Sequence, residues 1–266
     1  MSDATTAWWR APLARLGAWR ERRALERRAI PDALWELTLL RLPFLARLDD
    51  ADRAELRRLC SLFLDRKQFH GAGGIEVTDD MALLIAAQAC LPVLELGLHY
   101  YDGFVGIVVH PDEVVAQRSV MDDDGVVHEY EENLTGEAMS GGPLMLAWSD
   151  VEGAAEAADL AYNVVIHEFA HVIDMVSGVA DGVPPLPDAA ARDRWIEVID
   201  DAYEAFCELV DSGADTVVDP YGAEAVEEFF AVAVEAFFVA SVPFKRESPA
   251  MYRLLAGYFR QDPAGA

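Results

Sequence analysis

The second half of the chain carries Val164-Val165-Ile166-His167-Glu168-Phe169-Ala170-His171. On a helix, residues four apart lie one above the other on the same face. His167 and His171 therefore offer two imidazole nitrogens to one metal ion. Glu168 stands beside them, where a carboxylate reaches a water at that metal. Zinc accepts nitrogen and oxygen ligands at about 2.0–2.2 Å and keeps one position open for water. The flanking Val164, Val165, Ile166, Phe169, Val172 and Ile173 are apolar. A buried helix has little use for two histidines and a glutamate unless they are paired or metal-bound. The stretch is therefore expected to be a zinc-bearing helix.

Two histidines do not complete a zinc site, and catalytic sites commonly add a glutamate. Glu228-Phe229-Phe230-Ala231 opens a strongly apolar helix with Val232, Val234, Phe237 and Phe238. Glu235 lies two turns further along the same face. Composition leaves Glu228 and Glu235 both open as the third ligand. Glu224 and Glu227 are nearer the helix start and suit solvent or the helix dipole. Asp174 shares the His167/His171 face but is too local to close the site. It fits better as a partner that orients a ligand.

The chain has 266 residues, 53% of them hydrophobic, enough for a substantial core. Its net charge of −26 is unevenly spread. Residues 1–67 hold 14 basic against 10 acidic side chains, and residues 68–266 hold 7 against 37. So acidic a body argues against direct nucleic-acid binding. Cys60, Cys90 and Cys207 are widely spaced and odd in number, so neither a disulfide framework nor a CxxC site is implied. Arg10, Arg15 and Arg20 interrupt any apolar core of a leader. The longest apolar run, 81–94, is broken by Gln88 and Pro92 and is too short to span a bilayer. A cytoplasmic protein without a membrane span is expected.

Taken in order, 1–30 are rich in Arg and Trp and read as a basic tail and helix docking on the acidic body. Pro31 starts a helix that Pro43 ends. Asp49 or Asp50 caps the next, which carries Leu56, Leu59, Leu62 and Phe63. Gly71-Ala72-Gly73-Gly74 marks a turn, taken as the boundary between an N-terminal helical segment (1–70) and a catalytic domain (71–266). Short strands are expected at 75–77, 104–109 and 126–130, with a turn at 122–125 between the last two. Thr78 or Asp79 caps an apolar helix at 80–91. The glycines and proline before 144–148 suggest an edge strand over 143–148, able to take an extended peptide by strand addition. The metal-bearing helix is expected over 154–176, stopped by Gly178. Further helices follow near 189–211, 222–240 and 246–260.

Several of these stretches together resemble the Mlc titration factor A family of bacterial zinc-dependent peptidases. The resemblance runs from about Pro43 onward. It rests on Leu62-Phe63-Leu64 through Phe69-His70-Gly71-Ala72-Gly73-Gly74, on Ile85-Ala86-Ala87-Gln88-Ala89-Cys90-Leu91, and on Gly142-Pro143 leading to Ala147-Trp148. It continues through the 163–174 stretch, Asp181-Gly182 with Pro184-Pro185-Leu186, and Asp219-Pro220-Tyr221 leading to Glu228. The catalytic half is also similar to the metalloprotease domain of anthrax toxin lethal factor, where a tyrosine precedes the ligand glutamate by seven residues, as Tyr221 precedes Glu228.

The resemblance implies an α+β, zincin-like fold: a small mixed sheet, the HExxH helix and flanking helices. It implies one zinc ion per chain on His167, His171 and Glu228, with Glu168 as general base and Tyr221 as oxyanion donor. It implies an aminopeptidase acting on peptides, and alternatively, or in addition, a regulatory protein that sequesters the Mlc-type glucose repressor controlling sugar phosphotransferase genes. The lethal factor carries a second acidic residue four positions after its ligand glutamate. Val232 stands there in this chain, so that role falls to Glu235 or Asp174.

Overall fold

The computed structural model describes residues 10–121, 127–134, 136–138, 141–153 and 161–265, which form an α+β arrangement. A four-stranded sheet packs against α6 (Val164–Asp174) through two of its strands. Its order is β1 (Gln68–Gly71), β2 (Gly106–His110), β6 (Leu144–Ala147), β5 (Gly136–Ala138). The first three are parallel, and β5 runs antiparallel to β6. A separate antiparallel ribbon pairs β3 (Val114–Met121) with β4 (Val127–Leu134).

Proline or a capping side chain opens several of the helices. Pro31 precedes α2 (Asp32–Arg41). Asp49 accepts from the Ala51 and Asp52 N–H groups at the start of α3 (Asp50–Arg66). Thr78 accepts from Met81 at the start of α4 (Asp79–Cys90). The Asp49 and Thr78 caps satisfy N–H groups that the first helical turn leaves without a partner. Every residue of α4 from Met81 to Cys90 is buried, as is every residue of α8 (Val226–Val239) from Phe229 to Phe238. A helix apolar on all sides belongs inside a core. A short α5 (Trp148–Gly153) follows β6 directly. Between α4 and α8 lies α6 (Val164–Asp174), with β5 and β6 on its other flank. Phe169 anchors it, its ring 5.7 Å from Phe63, 4.8 Å from Tyr101 and 5.9 Å from Phe104. α7 (Ala189–Asp211) and α10 (Pro249–Phe259) close over α8 through Trp195, Phe206 and Phe259. The N-terminal α1 (Arg10–Arg27) docks on α3 through an Arg27–Asp65 ion pair.

Four local expectations need correction. β6 is an interior strand, because β5 pairs along its outer side. The glycines and proline at 141–143 mark the hairpin between β5 and β6, and Gly141 has φ +69°. Gly-Glu-Ala is a poor strand composition, held extended by its neighbour. Residues 75–77 are not a strand; the strand is 68–71, which pairs with β2. A Cβ on Gly71 would lie 1.9 Å from the Ile75 carbonyl oxygen, so the chain folds straight back over itself. Ile75 and Val77 then pack on the core without a strand partner. The metal-bearing helix starts at Val164, because Ala161 has φ +57° and Asn163 is extended. It ends at Asp174, followed by a 3₁₀ turn over Met175–Ser177 and Gly178. The expected helix at 246–260 is α10, starting at Pro249, preceded by a short α9 (Ser241–Glu247). The expected turn at 122–125 and residues 154–160 lie outside the described residues. Among the described residues no helix is long and apolar enough to cross a membrane.

Candidate metal centre

Asn163 sets the phase of α6. Its Oδ1 accepts from the Ile166 N–H at 2.9 Å, a helix N-cap. The apolar side of α6 is buried, and the opposite side presents His167 and His171 one turn apart. Their Nε2 atoms are 3.1 Å apart. Glu228, in the first turn of α8, brings Oε2 to 3.2 Å from His167 Nε2 and 3.4 Å from His171 Nε2. These three atoms lie within 4.8 Å of one another, a group able to hold a metal ion.

The donor set fits a cation. Glu235 Oε1 lies 2.8 Å from His167 Nδ1. A carboxylate only accepts, so Nδ1 carries the hydrogen; a metal ion taking the place of the Nε2 proton would then meet that nitrogen's lone pair. Glu228 Oε2 is buried and makes no hydrogen bond. Burial pushes the Glu228 carboxyl up, but its contacts with His167 and His171 outweigh this and hold it well below the usual carboxylate range. Two ring nitrogens and an anionic oxygen thus converge at separations where only a proton or a metal ion relieves their repulsion.

Glu168 is 5% exposed, and its Oε2 also lacks a hydrogen bond. Burial pushes its carboxyl up to about 7; the histidines oppose that, and Glu228 and Glu235 add to it. A cation beside it would favour the ionised form. Gly136 of β5 presses on this carboxylate. A Cβ there would lie 2.5 Å from Glu168 Oε1, so any larger residue would push this carboxylate from its place.

Tyr221 sits in a 3₁₀ turn, Pro220–Ala223, whose start is capped by Asp219. Ala225 is extended, so 221–228 is not one continuous helix. That break folds the tyrosine back, and its ring centroid is 6.3 Å from that of His167. Of the two acidic candidates for orienting a ligand, Glu235 meets His167. Asp174 turns elsewhere: its Oδ2 accepts from the Gly182 N–H at 2.8 Å.

Three further residues support the site and escaped sequence reasoning. The Asn163 backbone N–H donates to Glu235 Oε2, and Asn163 Nδ2 donates to Gln88 Oε1 at 2.7 Å. Gln88 Nε2 in turn donates to the Leu84 carbonyl at 3.0 Å. Gln88 stands alone in an apolar run, and a buried amide needs partners; that was the available signal. Gly136 had none, because its neighbour Glu168 is distant in sequence.

A family model described as glucose-regulated metallo-peptidase M90 matches residues 16–260. An uncharacterized protein of Synechocystis is 36% identical over 247 residues, 92% of this chain and 89% of that protein. Mlc titration factor A of Salmonella arizonae is 34% identical over 236 residues, 88% of this chain and 92% of its own. Mlc titration factor A of Klebsiella pneumoniae is 33% identical over 232 residues, 86% of each.

Proposed function

The chain belongs to the glucose-regulated metallopeptidase family M90, and from that premise we propose a zinc-dependent aminopeptidase of zincin-like fold. In this reading His167, His171 and Glu228 hold one zinc ion. The observation that carries it is the convergence of two Nε2 atoms and Glu228 Oε2 beside the buried Glu168. Separations of 3.1–3.4 Å are close to the edge of a tetrahedron with metal–ligand bonds of about 2.0–2.1 Å.

Zinc, when bound, supplies a Lewis acid that polarises a carbonyl and lowers the pKa of a water to about 7. The side chains do the rest. Glu168 takes the water's proton and hands it to the leaving amine. The Tyr221 hydroxyl hydrogen-bonds the oxyanion of the tetrahedral carbon. Glu235 holds His167 in the tautomer that offers Nε2. The peptide pairs along the outer edge of β5, which no strand covers among the described residues and which touches Glu168, rather than along β6.

Glu168→Gln tests the reading. The amide keeps the shape but cannot accept the proton. Metal analysis should find one zinc per chain in both proteins, and aminoacyl substrates should be cleaved by the wild type alone. Near wild-type turnover by the variant would remove Glu168 from the base role.

A second reading rests on the relatives named Mlc titration factor A: a cytoplasmic protein that sequesters an Mlc-type repressor. It is compatible with the first, because Glu168→Gln removes only proton transfer. A pull-down in which this variant keeps its fold and zinc but loses the repressor would count against independent sequestration.

A further inference from the structure

A cleft of about 220 Å³ opens at Val172, the residue that follows His171 on α6. Its walls are Ala138 of β5 and Val172, Met175 and Val176 after the His171 turn; its floor is Phe104 and Leu144. Among the described residues no Asp, Glu, Lys or Arg lines it; its polar side chains are His99 and Tyr100.

Its position relative to Glu168 follows from two elements. Val172 is one helical turn beyond Glu168 on the same face, about 5–6 Å along α6. Ala138 is two residues beyond Gly136, the residue that presses on Glu168, about 7 Å along β5. Both elements lead from the Glu168 carboxylate into the same cleft. An extended peptide advances about 3.4 Å per residue. A residue next to a bond held at Glu168 therefore has its side chain within reach of the cleft.

Strand direction selects the side. β5 runs from Glu168 toward the cleft. A peptide pairing antiparallel to its outer edge, the slightly more stable arrangement, runs from the cleft toward Glu168. The residue over the cleft then precedes the bond to be cleaved. The size suits a large apolar group, since an apolar cavity of about 150 Å³ already takes a benzene ring. An acidic side chain would lose much of its water with only the His99 imidazole to meet it, and a basic one would meet no carboxylate among the described residues.

We propose that this cleft receives a large apolar side chain, such as Leu, Met or Phe, from the residue on the amino side of the scissile bond. This rests on the peptidase reading and gives it a substrate class. For an aminopeptidase that residue is the amino-terminal one.

Two peptide sets test it on the metal-loaded protein. One varies only the residue before the scissile bond among Gly, Ala, Leu, Phe and Asp; the other varies only the residue after it. In the first set kcat/KM should rise at least about tenfold from Ala to Leu or Phe, with Asp poorest. Ala138→Leu narrows the cleft and should cut the Phe-to-Ala ratio by about tenfold or more. Val172→Ala widens it and should raise Phe relative to Leu. The same peptides are titrated calorimetrically against Glu168→Gln protein, where the affinity ratios should follow the same order and respond to Ala138→Leu. If no peptide is cleaved by the wild type yet binding keeps this order, the peptidase reading falls and the cleft assignment stands. Equal preference for Gly, Asp and Phe in both cleavage and binding overturns the assignment. So do ratios that both folded variants leave unchanged, or a preference confined to the residue after the bond.

Discussion

Glu228 and Glu235 stand two turns apart on α8 and meet opposite edges of one imidazole. Glu228 faces His167 Nε2 and Glu235 faces Nδ1. Glu228→Gln should therefore abolish stoichiometric metal binding, because a charged donor is lost. Glu235→Gln should keep a stoichiometry near one and weaken affinity by about 10–100-fold, the usual cost of losing a partner that orients a ligand. Competition with a chromophoric chelator separates the two, and the reverse order would mean that the wrong glutamate has been assigned. Tyr221 supplies no atom to the donor set. Tyr221→Phe should lower kcat by about 10²–10³ with little change in KM, since the oxyanion exists only near the transition state. Loss of metal from that variant, or an unchanged kcat, would make Tyr221 a packing residue.

At the level of elements, Asp174 joins the end of α6 to the loop that leads into α7. Its Oδ2 accepts from Gly182 N–H, and the Gly182 carbonyl accepts from Trp195 Nε1 at 2.8 Å. Gly182 has φ +74°, which favours glycine. Asp174 is fully buried, with Oδ1 unpartnered. Burial pushes its carboxyl up to about 6; the Gly182 N–H opposes that and Asp181 adds to it. A folded-state value above the unfolded one favours the protonated form. The contribution to stability is thus fully present below about pH 4 and lost as pH rises through about 6. Ionising this carboxyl inside the fold rather than in the unfolded chain costs about 3 kcal/mol. Asp174→Asn keeps an oxygen for Gly182 and never ionises. It should raise the Tm at pH 8 and match the wild type near pH 4. Equal melting of the two proteins at pH 8 would mean that the ionised carboxylate costs the fold nothing.

For the whole molecule, the donor set joins α6 to α8, which are separated by α7 in sequence. A cation bound there at about a thousandfold over its Kd adds about 4 kcal/mol to the folded state. In a domain of this size that corresponds to a Tm shift of roughly 10 °C. Removing the metal with a chelator should lower Tm by that order, and stoichiometric zinc should restore it. A protein stripped of metal that melts unchanged would show that helix packing alone holds the two helices. The core around the site supports a cooperative effect, because Phe169 on α6 and Phe229 to Phe238 on α8 are buried in the same cluster.

Much of this was legible along the chain. A four-residue spacing places His167, Glu168 and His171 without knowledge of any neighbour, because helix geometry is local. Caps at 49–50 and 78–79, filled by Asp49 and Thr78, and the span of α7 followed for the same reason. Apolar runs marked α4 and α8 as core helices. Whether Glu228 or Glu235 is poised to ligate was not legible from spacing, since both lie on one face of α8. The crossing of α8 over α6 decided which atom of His167 each one meets. The edge of the sheet was decided the same way. The three residues of β5 carry no strand signal of their own and become a strand only because β6 offers hydrogen bonds. That pairing also brings Gly136 onto Glu168 and forms the cleft. Local turn and cap chemistry is written in neighbouring residues, whereas contacts across some thirty to seventy positions depend on how finished elements pack.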